Sequence, residues 1–101
     1  MKVLFICNQN QNRSRTAEKL FKDKFETRSA GLYNEKPVSN KDIAWADAVV
    51  AMEEAQLDEI SKRFPKPCFE KRLFSLDIPD IYQYNQPELV AILKSKIKDL
   101  F

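Results

Sequence analysis

Apolar positions along the chain alternate between two patterns. Val3-Leu4-Phe5-Ile6 is a short apolar, partly β-branched run bounded by polar residues, the mark of a strand buried on both faces of a parallel sheet. Ala17, Leu20, Phe21 and Phe25 then recur at helical spacing and predict a first helix from about Arg15 to Phe25 with that stripe on the sheet. Thr27 to Ala30 reads as a second strand, ended by Gly31, the single glycine, where a small or positive-φ residue is wanted. Ser39 and Asp42 have the spacing of a capping box opening a short helix through Trp45, and Asp47 to Met52 contains the third strand. Glu53 and Glu54 suit the first turn of the next helix, whose inward face is Leu57, Ile60 and Phe64 and which Pro65 and Pro67 end. Arg72 to Leu76 is the fourth strand, and Asp77 to Gln86 a polar, proline-bearing loop. Asn85, Pro87 and Glu88 start a last helix with the stripe Leu89, Leu93, Ile97 and Leu100. Strands alternating with helices predict an open parallel α/β sheet with right-handed crossovers, in one domain over residues 1–101.

The stretch Cys7-Asn8-Gln9-Asn10-Gln11-Asn12-Arg13-Ser14 lies between the first strand and the first helix. In strand-loop-helix units ligands collect at the carboxyl end of the strand, where the new helix offers unpaired N–H groups and a positive dipole end to an anion. Cys7 sits at that spot. The helix terminus and the cation Arg13 both favour its thiolate, which is the nucleophilic form. If the residues from Asn8 to Asn12 wrap their amides around a tetrahedral anion, the Arg13 guanidinium can fork onto its remaining oxygens. Ser14 is then placed to donate its hydroxyl to the sulfur.

Composition narrows the chemistry. A chain of 101 residues, 44% of them hydrophobic, can bury one small core. The 17 basic and 15 acidic side chains nearly balance, so no global field argues for nucleic acid or a membrane surface. No apolar run is long enough to span a bilayer and no signal-peptide pattern opens the chain, so a cytoplasmic protein is expected. Two cysteines do not make a disulfide framework, which fits a reducing compartment. The absence of histidine removes Ser-His-Asp and Cys-His catalysis, and with two thiols leaves no zinc site; no metal and no cofactor are expected. Acid-base work falls to carboxylates, Tyr, Lys or Cys.

The segment VLFICNQNQNRSRTAE, from Val3 to Glu18, resembles the active-site segment of the low-molecular-weight protein tyrosine phosphatases, in which a first strand runs into a Cys-x5-Arg-Ser phosphate loop and a helix. Ser29-Ala30-Gly31 resembles that family's second strand end, Ala46 to Glu53 its third strand, and Ile78-Pro79-Asp80-Ile81-Tyr82 its acid-bearing loop. The closest likeness is to a short bacterial branch of predicted phosphatases. The resemblance implies four strands in the order 2-1-3-4, flanked by helices as a three-layer sandwich. It also implies a cysteine-dependent phosphomonoester hydrolase of the protein tyrosine phosphatase kind, acting through a phosphocysteine on a phosphorylated protein or small aryl phosphate. Inorganic phosphate or another oxyanion would occupy the loop.

On this reading Cys7, Arg13 and Asp80 are catalytic, and Asn8, Gln9, Asn10, Gln11, Asn12, Ser14 and Tyr82 bind substrate. Asp80 is the acid and then the base, aligned with the family's proline-flanked aspartate; Asp77 is the alternative acid, and a solvated turn is the plain alternative for both. Tyr82, which matches the family's aromatic after the aspartate, and Tyr84 either wall the site and stack on an aromatic phosphoester or pack against the last helix. Trp45 reads as core or rim, and Cys68 as a small hydrophobe. Three departures from the family pattern stand out. Gln9 occupies a usual glycine, Asn12 a usual second cysteine, and Arg15 the usual proline, at a cost of roughly 0.3–1 kcal/mol against the helix dipole; Arg15 is a candidate to hold an extra anionic group. Two other readings follow from the same loop: a phosphate-binding module without turnover, and a phosphocysteine carrier like the sugar-phosphotransferase IIB subunits.

Overall fold

The computed structural model describes all 101 residues. In chain order the elements are β1 (Lys2–Cys7), α1 (Arg13–Phe21), β2 (Glu26–Gly31), α2 (Asn40–Trp45), β3 (Ala48–Ala51), α3 (Glu54–Arg63), α4 (Pro65–Phe69), β4 (Arg72–Ser75) and α5 (Pro87–Leu100). The four strands form one sheet in the order β2-β1-β3-β4, with every pairing parallel. This is the expected order, and it puts β1 in the interior with Val3 to Ile6 essentially unexposed.

Alternation along β1 divides the core. Val3, Phe5 and Cys7 face a cluster shared with Ala17 and Phe21 of α1 and Leu89, Leu93 and Ile97 of α5. Leu4 and Ile6 face the other cluster, shared with Ile43 of α2, Ile60 of α3 and Cys68 of α4. The sheet is therefore the middle of three layers, and each fully buried Leu, Ile or Phe contributes about 1.5–3 kcal/mol of transfer free energy. No helix is long and apolar enough to cross a membrane.

The ends of α1 and the segment after α3 differ from expectation. α1 begins at Arg13 and stops at Phe21, because Lys22, Asp23 and Lys24 form a polar turn closed by the amides of Lys24 and Phe25 on the Phe21 carbonyl. Phe25 still reaches the core side, its ring 5.1 Å from that of Phe101. Pro65 does end α3, but it also opens α4, since a proline in the first turn gives up an N–H that has no helical partner. α4 covers the sheet with Cys68.

The capping box is present as expected: Ser39 Oγ accepts from the Asp42 amide and the Asp42 carboxylate accepts from the Ser39 amide. Gly31 has no positive φ, so smallness is what matters there. A Cβ on it would lie 2.5 Å from Asn34 Oδ1 and 2.9 Å from the Asn8 carbonyl oxygen, both too close.

Candidate active site

β1 delivers Cys7 at its carboxyl end with 3% of its surface exposed. The chain then turns through residues 8–12, and the turn depends on Asn10, whose φ is 54°. Asparagine tolerates this left-handed region better than most residues. The positive-φ step thus falls on Asn10 and not on Gln9, so glutamine in place of the family's glycine meets no such conflict.

The loop closes into a cup. The Asn10 amide donates to Cys7 Sγ at 3.2 Å, and Ser14 Oγ lies 2.9 Å from the same sulfur and 2.8 Å from Asn10 Oδ1. Asn12 makes no side-chain cap on α1 and the first turn holds no acidic residue, so the helix end is left to an anion. The resulting cavity, about 40 Å³, is lined by Cys7, Gln9, Gln11, Asn12, Arg13 and Asp80, with room for more than one water and hence for a small oxyanion.

Arg13 is 1% exposed. Its Nη1 donates to Glu53 Oε2 at 2.6 Å and to the Ile78 carbonyl at 2.7 Å. Nε and Nη2 make no hydrogen bond within the protein, which leaves that edge free to fork onto an oxyanion. Asp80 Oδ1 stands 3.7 Å from Nε, on a side chain 60% exposed.

Glu53 and Gln56 are site residues that sequence reasoning passed over. Gln56, 2% exposed, accepts from the Met52 and Glu53 amides at 3.0 Å each and donates to Asn8 Oδ1 at 3.1 Å and Glu53 Oε2 at 3.2 Å. Its amide is saturated, and it ties the nucleophile loop to the carboxylate that holds Arg13. The available signal was a glutamine three residues after Glu53, at capping distance and on the flank of the Leu57-Ile60 stripe.

The remaining candidates fall as follows. Asn8 braces the loop through Gln56, and its carbonyl accepts the Leu32 and Tyr33 amides at 2.9 Å. Gln9, Gln11 and Asn12 line the cup, while Asn10 and Ser14 lie against the sulfur. Of the two places open to Tyr82, the structure gives it the packing one: it lies partly buried against the core cluster of β1, α1 and α5 and is not in the lining of the cavity. Its neighbour Ile81 is the one left 72% exposed beside Asp80. Asp77 is exposed with φ 55° and takes no part in the cavity. Cys68 lies in the cluster on the opposite face of the sheet from Cys7, and both thiols are free. Burial pushes the Cys68 thiol above its ordinary value, with Lys71 opposing more weakly. Trp45 sits at the margin of its cluster, with the Arg28 guanidinium 4.2 Å from the ring.

A buried thiol, a guanidinium with its free edge forward and an uncapped helix end around one small cavity define a cysteine-based, oxyanion-binding enzyme of the phosphatase class. Residues 2–78 match the low molecular weight phosphotyrosine protein phosphatase family, and the chain belongs to it. The fold recurs in the tyrosine phosphatase Wzb from Escherichia coli K30, solved in complex with phosphate (19% identity, 98% of this chain and 94% of that one, TM-score 0.79). It recurs also in a low molecular weight protein tyrosine phosphatase from Bacillus subtilis (22% identity, 99% and 97%, TM-score 0.76). A third similar structure is the YwlE arginine phosphatase from Geobacillus stearothermophilus (22% identity, 98% and 84%, TM-score 0.68). No curated protein matches the chain significantly.

Proposed function

We propose that the protein hydrolyses phosphomonoesters of phosphorylated proteins or small aryl phosphates, with Cys7 as nucleophile, Arg13 and the loop amides as phosphate cradle, and Asp80 as acid and base. The observation that carries this reading is the pairing of sulfur and free guanidinium edge in one cup. Cys7 thiolate attacks phosphorus while the bond to the leaving oxygen breaks. The Asp80 carboxyl gives that oxygen its proton. In the second step the Asp80 carboxylate takes a proton from water as the water attacks phosphorus, the S–P bond breaks, and phosphate leaves with the thiolate restored.

Ser14 has one proton to place. With Cys7 as thiol it accepts from S–H and donates to Asn10 Oδ1; with the thiolate it donates to sulfur and the Asn10 amide turns its NH2 toward it. The network thus supports both forms without leaving a buried donor unpaired. Between the two acids the support is for Asp80, which lines the cavity and faces Arg13.

The test is steady-state hydrolysis of a chromogenic aryl phosphate, a phosphotyrosyl peptide and a phosphoarginyl peptide by wild type and Cys7→Ser. The expected result is turnover of the aryl phosphate or the phosphotyrosyl peptide by wild type and loss of on the order of 10³-fold or more in the variant; turnover of the phosphoarginyl peptide alone would overturn the phosphomonoester assignment. Turnover that survives Cys7→Ser would exclude the mechanism, and tight phosphate binding with no turnover of any of the three would leave a phosphate-binding module.

A further inference from the structure

The cup is not the largest concavity of the molecule. A groove of about 280 Å³ runs along the exposed side of α1, lined by Arg15, Glu18, Lys19, Lys22, Thr27 and Tyr84. At about 100° per residue, Arg15 lies nearly opposite Arg13 on the helix, so this groove is distinct from the phosphate cavity.

Its cations are arranged at a local cost. Arg15, Lys19 and Lys22 stand at i, i+4 and i+7 on one helix face, where like charges repel, and Arg15 also opposes the dipole. None of the three has a carboxylate partner: the ion pairs of the molecule join Arg13 to Glu53 and Asp80, and Arg63 to Glu59. The one acid of the groove, Glu18, is turned to Ser29 Oγ at 2.6 Å. Tyr84 holds the Arg15 and Lys19 head groups 5.6 and 5.8 Å from its ring centroid, which orders them beside the opening.

The groove is also joined to the reaction centre. Tyr84 belongs to the loop that carries Asp80, and the next amide, of Asn85, donates to Thr16 Oγ1 at 2.8 Å. Thr16 Oγ1 in turn donates to the carbonyl of Asn12, the residue before Arg13, at 2.6 Å.

We propose that this groove docks an acidic segment flanking the phosphorylated residue of a protein substrate. The inference rests on the phosphatase reading. The row from Arg15 to Lys22 rises about 10 Å along the helix, the length of about three extended residues, so the partner is a short run of about three Asp or Glu.

The test compares phosphotyrosyl peptides carrying three glutamates before the phosphoresidue, three after it, or three alanines, together with an aryl phosphate. The enzymes are wild type and Arg15→Ala/Lys19→Ala/Lys22→Ala, whose alanines favour an exposed helix. At low salt one acidic peptide should exceed the alanine peptide by about tenfold in kcat/KM, and the margin should shrink as salt rises. In the triple variant the margin should fall to within about twofold, while turnover of the aryl phosphate stays at the wild-type level. Equal rates on all peptides, or a preference that persists in the variant, would overturn the proposal. If wild type turns over none of them, the phosphatase reading fails on its own. A fluorescein-labelled glutamate-rich peptide without phosphate then decides the groove by anisotropy: binding lost in the variant supports it, and binding absent or unchanged refutes it. An oligonucleotide of equal charge that binds as tightly would also overturn it, as undirected attraction of polyanions.

Discussion

The two loops that meet at the cavity are built in opposite ways. The loop from Cys7 to Arg13 is braced from behind at several points: sulfur by the Asn10 amide and Ser14, Asn8 by Gln56, and Arg13 by Glu53 and the Ile78 carbonyl. The loop from Asp77 to Gln86 is anchored at buried Ile78 and at the contact of Asn85 with Thr16, and between them Asp80 and Ile81 are exposed. On the proposed mechanism the half that stabilises charge on phosphorus is assembled in advance, where fixed dipoles cost no reorganisation during reaction. The half assigned to proton exchange with leaving group and water stays open to both.

The largest effect that separates the two loops is expected at the acids. Asp80→Asn should lower kcat on a phenolic ester by about 10²–10⁴-fold, while Asp77→Asn stays within about twofold. The reverse ranking would move the acid to Asp77 and undo the account of the open loop. The loss at Asp80 should also shrink for esters whose leaving groups need no protonation, a readout that a structural role would not produce.

Bracing is tested at Gln56. Gln56→Leu leaves the Glu53 amide and the Asn8 side chain without a partner and frees the carboxylate behind Arg13, while the Met52 amide keeps the Ile6 carbonyl, so a stability loss of about 1–3 kcal/mol is expected. KM and the affinity for inorganic phosphate should worsen with it. Unchanged phosphate affinity in the folded variant would mean that Arg13 holds its place unaided.

Gly31→Ala presses on the carbonyl of Asn8 at the root of the same loop and should destabilise by about 1–3 kcal/mol by denaturant midpoint, with residual activity falling in parallel. No change in midpoint would show that Asn34 and the loop root yield freely.

The smallest effect lies far from both loops. Cys68 has its thiol pushed above 9.0 by burial, so the unfolded chain releases this proton first as pH rises. The associated stability is intact below about pH 9 and declines as pH climbs toward the folded value. Cys68→Ala should remove that alkaline decline and cost some packing at neutral pH, read from Tm against pH. A decline of the same steepness in the variant would assign it to other groups.

Much of this architecture follows from local order along the chain. The β1 run, the α5 stripe and the Ser39-Asp42 cap appear where the apolar period and cap chemistry put them, because each depends on residues within a few positions. The Cys-x5-Arg spacing likewise announces the cup, since an anion-binding turn between strand and helix is a property of one continuous segment. The end of α1 and the helix after Pro65 were harder to read, because polar and proline residues at a boundary suit a stop or a start equally well.

What the chain alone determined, then, is the set of elements apart from α4, their parallel arrangement and the candidate sulfur and guanidinium. Only the tertiary structure decided that Asn10 makes the turn, that Gln56 and Glu53 stand behind Arg13, that Tyr82 goes to the core, and that Tyr84 closes a basic groove. The physical reason is sequence distance: Arg13 meets Glu53 across 40 positions and the Ile78 carbonyl across 65, and no local pattern encodes a contact that exists only once the sheet has brought its strand ends together.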